Sequence, residues 1–431
     1  MNKATKLNDL YYILSQEALT IQNMGDFYCD GTMEVRTGDE YVSPTLNIFD
    51  AIMQGEGGVQ KAFLFMGHRG CGKSTELNEL SIKLSNEGFA VKTINASLEI
   101  DMQNVAYWDL FILVGKKIVE MANDCNCRIS KKTLKRIENF WDSVEIESIR
   151  SNTRGTEASI DVEGGLQAKI LKIFGKAQAE IKFSSENRKI IRHKVEQAAA
   201  EWNEIINLIS DAISKKYDRK YPVIIFEDLD KLDIEKAWSI FLGYAYAMSK
   251  VPIHIIYTFP IALSYSPKFG LVAPYFQVET LPMIKLHLQN RIECPEGIRI
   301  MEKILFKRAD ESLFSKDALR KTIIFTGGCI RDLFNILIDS SRRAIRRNSS
   351  VIELEDVNYM LTKFSSELTK RIEKKQYDFL KSIYEGDKTE IEDRETLLEM
   401  MQAQVILEYN STRWHDVHPL VAKFLKDRGI I

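Results

Sequence analysis

Short runs such as "AFLFM", "VIIF" and "HIIYTF" are apolar at consecutive positions, the pattern of strands buried on both faces of a parallel sheet. "FAVKTINAS" and "YFQVETLPMI" read as two further strands. Between them the apolar spacing lengthens to that of helices, around 104 to 122 and near 131 to 142. Residues Ile191, Val195, Ala199, Trp202, Ile206, Ile209 and Ile213 fall on one helical face and predict a single helix of about eight turns. Just before it, Ala179, Ile181 and Phe183 alternate with Glu180 and Lys182, which predicts a strand. The block 295 to 372 reads as three or four helices, with Ser315 as an N-cap. The last part, "ILEYN-ST-RWHDVH" followed by Pro419, reads as a β-hairpin leading into a helix.

This pattern divides the chain into an N-terminal helical leader (1–45), an α/β core (46–290) interrupted by an insertion at about 123–220, a helical block (291–372) and a small C-terminal unit (373–431). Composition adds little. The 431 residues hold 59 Lys and Arg against 61 Asp and Glu, a net charge of −2 that calls for neither nucleic acid nor acidic lipid. The N-terminus lacks a signal-peptide apolar core and no apolar window has membrane-span length, so a cytoplasmic location is expected. Six cysteines without a second close pair argue for free thiols. Four of the six histidines (His68, His193, His254, His287) are scattered singly, and His415 and His418 would fall on opposite faces of a strand, which argues against a metal site.

Chemistry enters at "GHRGCGKST". Gly67, Gly70, Gly72, Lys73 and Ser74 fit the spacing of a phosphate-cradling loop between a strand and a helix. Backbone N–H groups from Gly67 through Cys71 to Thr75 curl round an anion, and the helix start adds its positive end. Lys73 supplies a point charge and Ser74 a hydroxyl for Mg²⁺, while the side chains of His68, Arg69 and Cys71 are expected to point outward. The acidic tip "VIIFEDLDKLD" gives Glu227 the magnesium side and Asp228 the polarising of an attacking water; Asp230 and Asp233 read as loop or cap residues. A further strand ends at Thr258, and "FTGGCIRDL" places Arg331 at a helix start, where an anion offsets the unfavourable charge.

In this order the segments resemble an AAA+ type P-loop ATPase, of the initiator-like and STAND-like branch that includes bacterial anti-phage ATPases. The resemblance implies a P-loop NTPase sheet of the α/β class with a helical lid and a small winged-helix-like domain. It implies ATP and Mg²⁺ as cofactors, with Thr258 and Arg331 as the two sensors. It also implies assembly with a protein partner or effector, or with further copies of the chain. Two features depart from it. The stretch "ALSYSPKFGLVAPYF", where a ring-forming relative would carry an arginine finger, has Lys268 as its only cation. The insertion lengthens the path from Lys73 to Glu227; it is read as a partner-reading element, and its Lys169, Lys172, Lys176 and Lys182 as solvated guards of an exposed hairpin edge.

Three readings follow: a slowly hydrolysing ATPase, a non-hydrolysing nucleotide switch or scaffold, and a DNA-associated initiator or transposition-type ATPase. The third is weakened by "DRETLLEMMQAQ", where Asp393, Glu395 and Glu399 outnumber Arg394 on the helix that would meet DNA. Arg342, Arg343, Arg346 and Arg347 cluster at a helix end and suit either solubility or a DNA backbone.

Overall fold

The computed structural model describes residues 3–14, 18–39, 42–55, 59–144, 146, 149, 163–386, 393–409 and 413–431. The expected tip of the C-terminal hairpin, at 410–412, and part of the insertion, at 150–162, lie outside them.

Five parallel strands form the central sheet: β1 (Ala62–Gly67), β2 (Val91–Asn95), β3 (Val223–Glu227), β4 (His254–Pro260) and β5 (Gln277–Thr280), in the order β2-β3-β4-β1-β5. The chain is thus α/β, as the apolar runs predict. Alternation along the strands builds two cores. Leu64, Met66, Ile224, Phe226, Ile255 and Tyr257 pack on one face, and Phe63, Phe65, Val223, Ile225 and Ile256 on the other. The acidic strand β3 is not beside β1; β4 lies between them, with Phe65 opposite Thr258.

The leader is not one helix. It holds α1 (Leu10–Ile13), α2 (Ile21–Phe27) and α3 (Thr32–Thr37), and is followed by α4 (Pro44–Met53). Helix α5 (Lys73–Asn86) follows the glycine-rich turn, and the four-residue α6 (Ala96–Glu99) follows β2.

The regular elements described in the insertion are all helices: α7 (Tyr107–Asp124), which leads into it, α8 (Lys131–Ser143), α9 (Glu163–Phe183), α10 (Ser185–Gln197) and α11 (Ala199–Lys216). The strand predicted at 179–183 is the end of α9. Over a longer window Ile170, Ile173, Phe174, Ala177 and Ile181 are all buried, which is helical spacing, while Phe183 is 80% exposed. The predicted eight-turn helix is two helices. The chain leaves helical geometry at Ala198 (φ −103°, ψ 14°), and α10 starts at its own cap, with Ser184 accepting a hydrogen bond from the Asn187 N–H. Trp141, Phe174 and Trp202 meet edge to face at 5.5 to 6.0 Å and form the centre of this bundle. The hairpin-edge role of the lysines falls with the hairpin: Lys169 pairs with Glu138, Lys182 with the Leu98 carbonyl, and Lys172 and Lys176 are exposed helix residues.

After α12 (Ile234–Ser249) and the sheet come four helices, α13 (Pro295–Phe306), α14 (Lys316–Phe325), α15 (Ile330–Arg346) and α16 (Leu354–Thr369). Ser315 occupies the N-cap position of α14, but its side chain makes no capping hydrogen bond. Arg342 pairs with Asp339, and Arg343 and Arg347 reach the buried Asp356. The turn before α15 requires Gly328, because a Cβ there would stand 2.0 Å from the Ile284 carbonyl oxygen.

The C-terminal unit is α17 (Tyr377–Glu385), α18 (Arg394–Gln402), the antiparallel pair β6 (Ile406–Tyr409) and β7 (Trp414–Val417), and α19 (Pro419–Asp427). His415 lies in β7, whereas His418 lies just past it and accepts a hydrogen bond from the Leu420 N–H at the start of α19. Both are buried structural histidines. No helix among the described residues is long and apolar enough to cross a membrane.

Candidate phosphate-binding site

β1 delivers Gly67 to the carboxyl end of the sheet, and α5 begins at Lys73 with Gly72 as its cap. The turn needs Gly70: its φ is +82°, and a Cβ would stand 2.7 Å from Cys329 Sγ. Ser74 and Thr75 complete the first turn of the helix.

The Lys73 ammonium is buried and meets three oxygens: Gly67 O at 2.9 Å, His68 O at 3.0 Å and Asp230 Oδ2 at 2.8 Å. Its three donors therefore match three acceptors. Burial alone would lower its pKa, but the Asp230 charge outweighs this and holds it above the usual lysine range. Asp230 is buried too, and Lys73 overcomes that penalty to hold the carboxyl below its usual range. Asp230 is thus no bystander of the acidic turn. Asp233 is the cap expected, accepting from the Lys236 N–H at 2.8 Å.

Glu227 ends β3 with its Oε1 buried and without a hydrogen-bond partner. Burial first, and then the Asp228 charge, push its pKa up to about 7 against a hydrogen bond from Ser74. An orphaned buried carboxylate oxygen beside a serine hydroxyl fits a hard cation that keeps several waters, as Mg²⁺ does. Asp228 takes a left-handed conformation, φ +71°, and turns away from the strand. The Ser97 hydroxyl donates to its Oδ2, and Lys231 Nζ lies 2.6 Å from its Oδ1.

Strand β4 runs on to Pro260, so Thr258 lies inside it, 2% exposed. Its hydroxyl donates to Phe226 O at 3.1 Å and accepts from the Leu229 N–H at 3.0 Å. These contacts pin the backbone on both sides of Glu227 and Asp228. Arg331, in the first turn of α15, donates its N–H to Gly70 O at 3.3 Å, which brings the helical block onto the loop.

His68 and Cys71 depart from expectation. Both are buried: His68 is 2% exposed and Cys71 0%. His68 Nε2 accepts the Glu408 N–H at 2.8 Å, so the C-terminal hairpin is bonded to the loop. Burial first, then the charges of Lys73, His415 and Arg413, push this imidazole down to about 3 and keep it neutral. Gln404 adds a bond to Arg69 O at 2.7 Å. Arg69 alone of the three points outward, its guanidinium donating to Lys231 O at 3.1 Å.

Sequence reasoning missed Arg36, which donates to Cys71 O at 2.7 Å, and also Ser97 and Glu408. A short polar residue right after β2 is a signal that could have marked Ser97. Arg36 has none, because its partners are far along the chain.

No family model and no curated protein matches this chain. Among solved structures it is similar to the Walker-type ATPase of Pyrococcus abyssi, at 12% identity over 96% of this chain and 99% of that one, with a TM-score of 0.42. It is also similar to the ORC2 protein of Aeropyrum pernix, at 10% identity over 98% and 97% with a TM-score of 0.37. The RuvB Holliday junction branch migration motor of Thermotoga maritima matches at 10% identity over 92% and 98%, with a TM-score of 0.34. Scores at this level decide nothing about activity; the fold assignment stands on the chain's own strand order and register.

Proposed function

We propose that this chain is an AAA+ like P-loop ATPase that binds ATP with Mg²⁺, hydrolyses it slowly, and converts the nucleotide state into movement of its helical lid and C-terminal unit. The observation that carries the reading is the meeting at one loop of Lys73 with Asp230, Ser74 with Glu227, and the Arg331 N–H with the Gly70 carbonyl. Gly67 to Thr75 hold the phosphates by their backbone N–H groups, and Lys73 places its charge on them. Ser74 and Glu227 are the residues that would hold Mg²⁺, which when bound supplies charge neutralisation at the phosphates. Asp228 is the candidate to orient and polarise the attacking water once Ser97 and Lys231 release it. Thr258 holds the acidic turn in place, and Arg331 couples phosphate charge to the lid.

The C-terminal unit is read as winged-helix-like and as a surface for a protein partner. Cytoplasmic residence is supported by the sequence pattern, and homo-oligomer formation and a part in anti-phage defence by the resemblance alone. One observation favours a second reading, a nucleotide-dependent switch with little turnover. The Lys73 ammonium is held by three protein oxygens, Asp228 is held by Ser97 and Lys231, and the stretch where a finger is expected has Lys268 as its only cation.

An ATPase assay across protein concentration separates the two. Turnover that rises with concentration supports a hydrolase completed by assembly. Tight ATP binding with no turnover at any concentration removes hydrolysis and leaves the switch. Absence of ATP binding overturns both.

A further inference from the structure

Residues 18–39 wrap the loop and its helix from outside the motif. Asn78 of α5 donates to Leu19 O at 2.9 Å, Tyr28 donates its hydroxyl to Glu76 at 3.1 Å, and Arg36 reaches the loop itself. The same stretch is tied to the lid, where Arg308 donates to Phe27 O at 3.1 Å and Lys303 to Asp30 O at 3.2 Å.

Arg36 is 1% exposed. One guanidinium nitrogen donates to Cys71 O at 2.7 Å and the other to Pro282 O at 2.5 Å, while Nε is buried with no hydrogen-bond partner. A buried cation served only by carbonyls is costly unless an anion answers it. The carboxylate that feels the Arg36 charge is Glu76, which accepts from the Tyr28 hydroxyl at 3.1 Å.

The geometry says what Arg36 does. A trans peptide is planar, so the Cys71 carbonyl and the Gly72 N–H point in opposite directions. Holding that carbonyl from behind turns the Gly72 N–H toward the mouth of the loop. A Cβ on Gly72 would lie 3.6 Å from the guanidinium, so the charge sits directly behind the cradle. We propose that Arg36, outside the recognised motif, is a positioning residue for the nucleotide's phosphate chain: it fixes the Cys71–Gly72 peptide and places a buried positive charge behind it. The proposal rests on the nucleotide-binding reading above, and it names the N-terminal strap as part of the phosphate site.

The test uses the full chain and its Arg36→Gln, Arg36→Lys and Glu76→Gln variants. Affinities for Mg-ATP, ADP and adenosine are measured by calorimetry, and unliganded melting by circular dichroism. Arg36→Gln should weaken ATP and ADP by about tenfold or more, or ~1.4 kcal/mol, and leave adenosine unchanged. Arg36→Lys should restore part of the loss, and Glu76→Gln should tighten ATP and ADP. Wild-type affinity for ATP in a folded Arg36→Gln protein overturns the proposal, as does an equal loss for adenosine. Should Arg36→Gln not fold, Arg36→Lys and Glu76→Gln decide, and unchanged ATP affinity in both overturns it. A wild-type protein that binds none of the three ligands overturns the nucleotide reading itself, which is a different result from unaltered binding in the variants.

Discussion

Lys73 Nζ and Asp230 Oδ2 lie 2.8 Å apart with both side chains buried, so the cation expected to meet phosphate already has a carboxylate partner inside the protein. On the nucleotide-binding reading proposed above, phosphate and Asp230 compete for the same ammonium. Asp230→Asn should therefore bind Mg-ATP several-fold more tightly, as calorimetry would show. Breaking a buried pair from one side should also lower unliganded stability by roughly 3–5 kcal/mol, and saturating ATP should recover much of that by mass action. The pair acts over a definite pH window. The folded Asp230 pKa lies below its ordinary 3.8, so its contribution is present above that value and is lost as pH falls. The folded Lys73 pKa lies above 10.5, so its contribution is present below that value and is lost as pH rises further.

Glu227 behaves in the opposite sense. Its folded pKa, about 7, lies above the ordinary 4.5, so the folded state holds this proton more tightly than the unfolded chain does. Stability contributed by Glu227 is present below pH 4.5 and is lost as pH rises toward 7. Denaturant titrations at pH 5 and pH 8 should show this decline, and Glu227→Gln should flatten it. Added Mg²⁺ should reduce the loss at pH 8 in the wild type and not in the variant.

The separate fixing of the two adjacent carboxylates predicts separate losses. Asp228→Asn should lower turnover by about 10²-fold or more, the scale of a lost general base, with ATP affinity little changed. Ser97→Ala should raise turnover, because it removes one of the two contacts that hold Asp228 in its left-handed position. Steady-state kinetics check both. A Glu227→Gln protein that is inactive beside an unimpaired Asp228→Asn protein reverses the assignment.

His68 links the loop to β6 through the Glu408 N–H. His68→Leu leaves that donor buried and unpaired, at a cost of about 1–3 kcal/mol. The expected readout is faster amide exchange in residues 405–409 and 414–417, with the sheet core unchanged.

The parts legible in the sequence are those whose cause is local. The turn from Gly67 to Ser74, the acidic tip and the apolar runs each carry their instruction within about ten residues. The segment 179–183 shows where a short window fails. Five residues alternate by chance, while burial from Ile170 to Ile181 settles the helix. Asp230 was hidden because its partner is Lys73, and His68 because its partner is Glu408. Such pairings depend on loops whose meeting no local pattern encodes.

The staple at the start of the chain has a consequence for folding order. Ala4 is hydrogen-bonded in register beside Ala309, its N–H to Arg308 O at 2.8 Å and its carbonyl to the Asp310 N–H at 2.9 Å. During synthesis the strap that carries Arg36 emerges early, but the edge that anchors it appears only after some three hundred more residues, roughly 15–60 s later at ordinary elongation rates. The glycine-rich loop is translated long before that. If Arg36 fixes the Cys71–Gly72 peptide as proposed, that peptide waits for the lid, and a nascent chain completes the proposed phosphate site only when the helices farther along have been made.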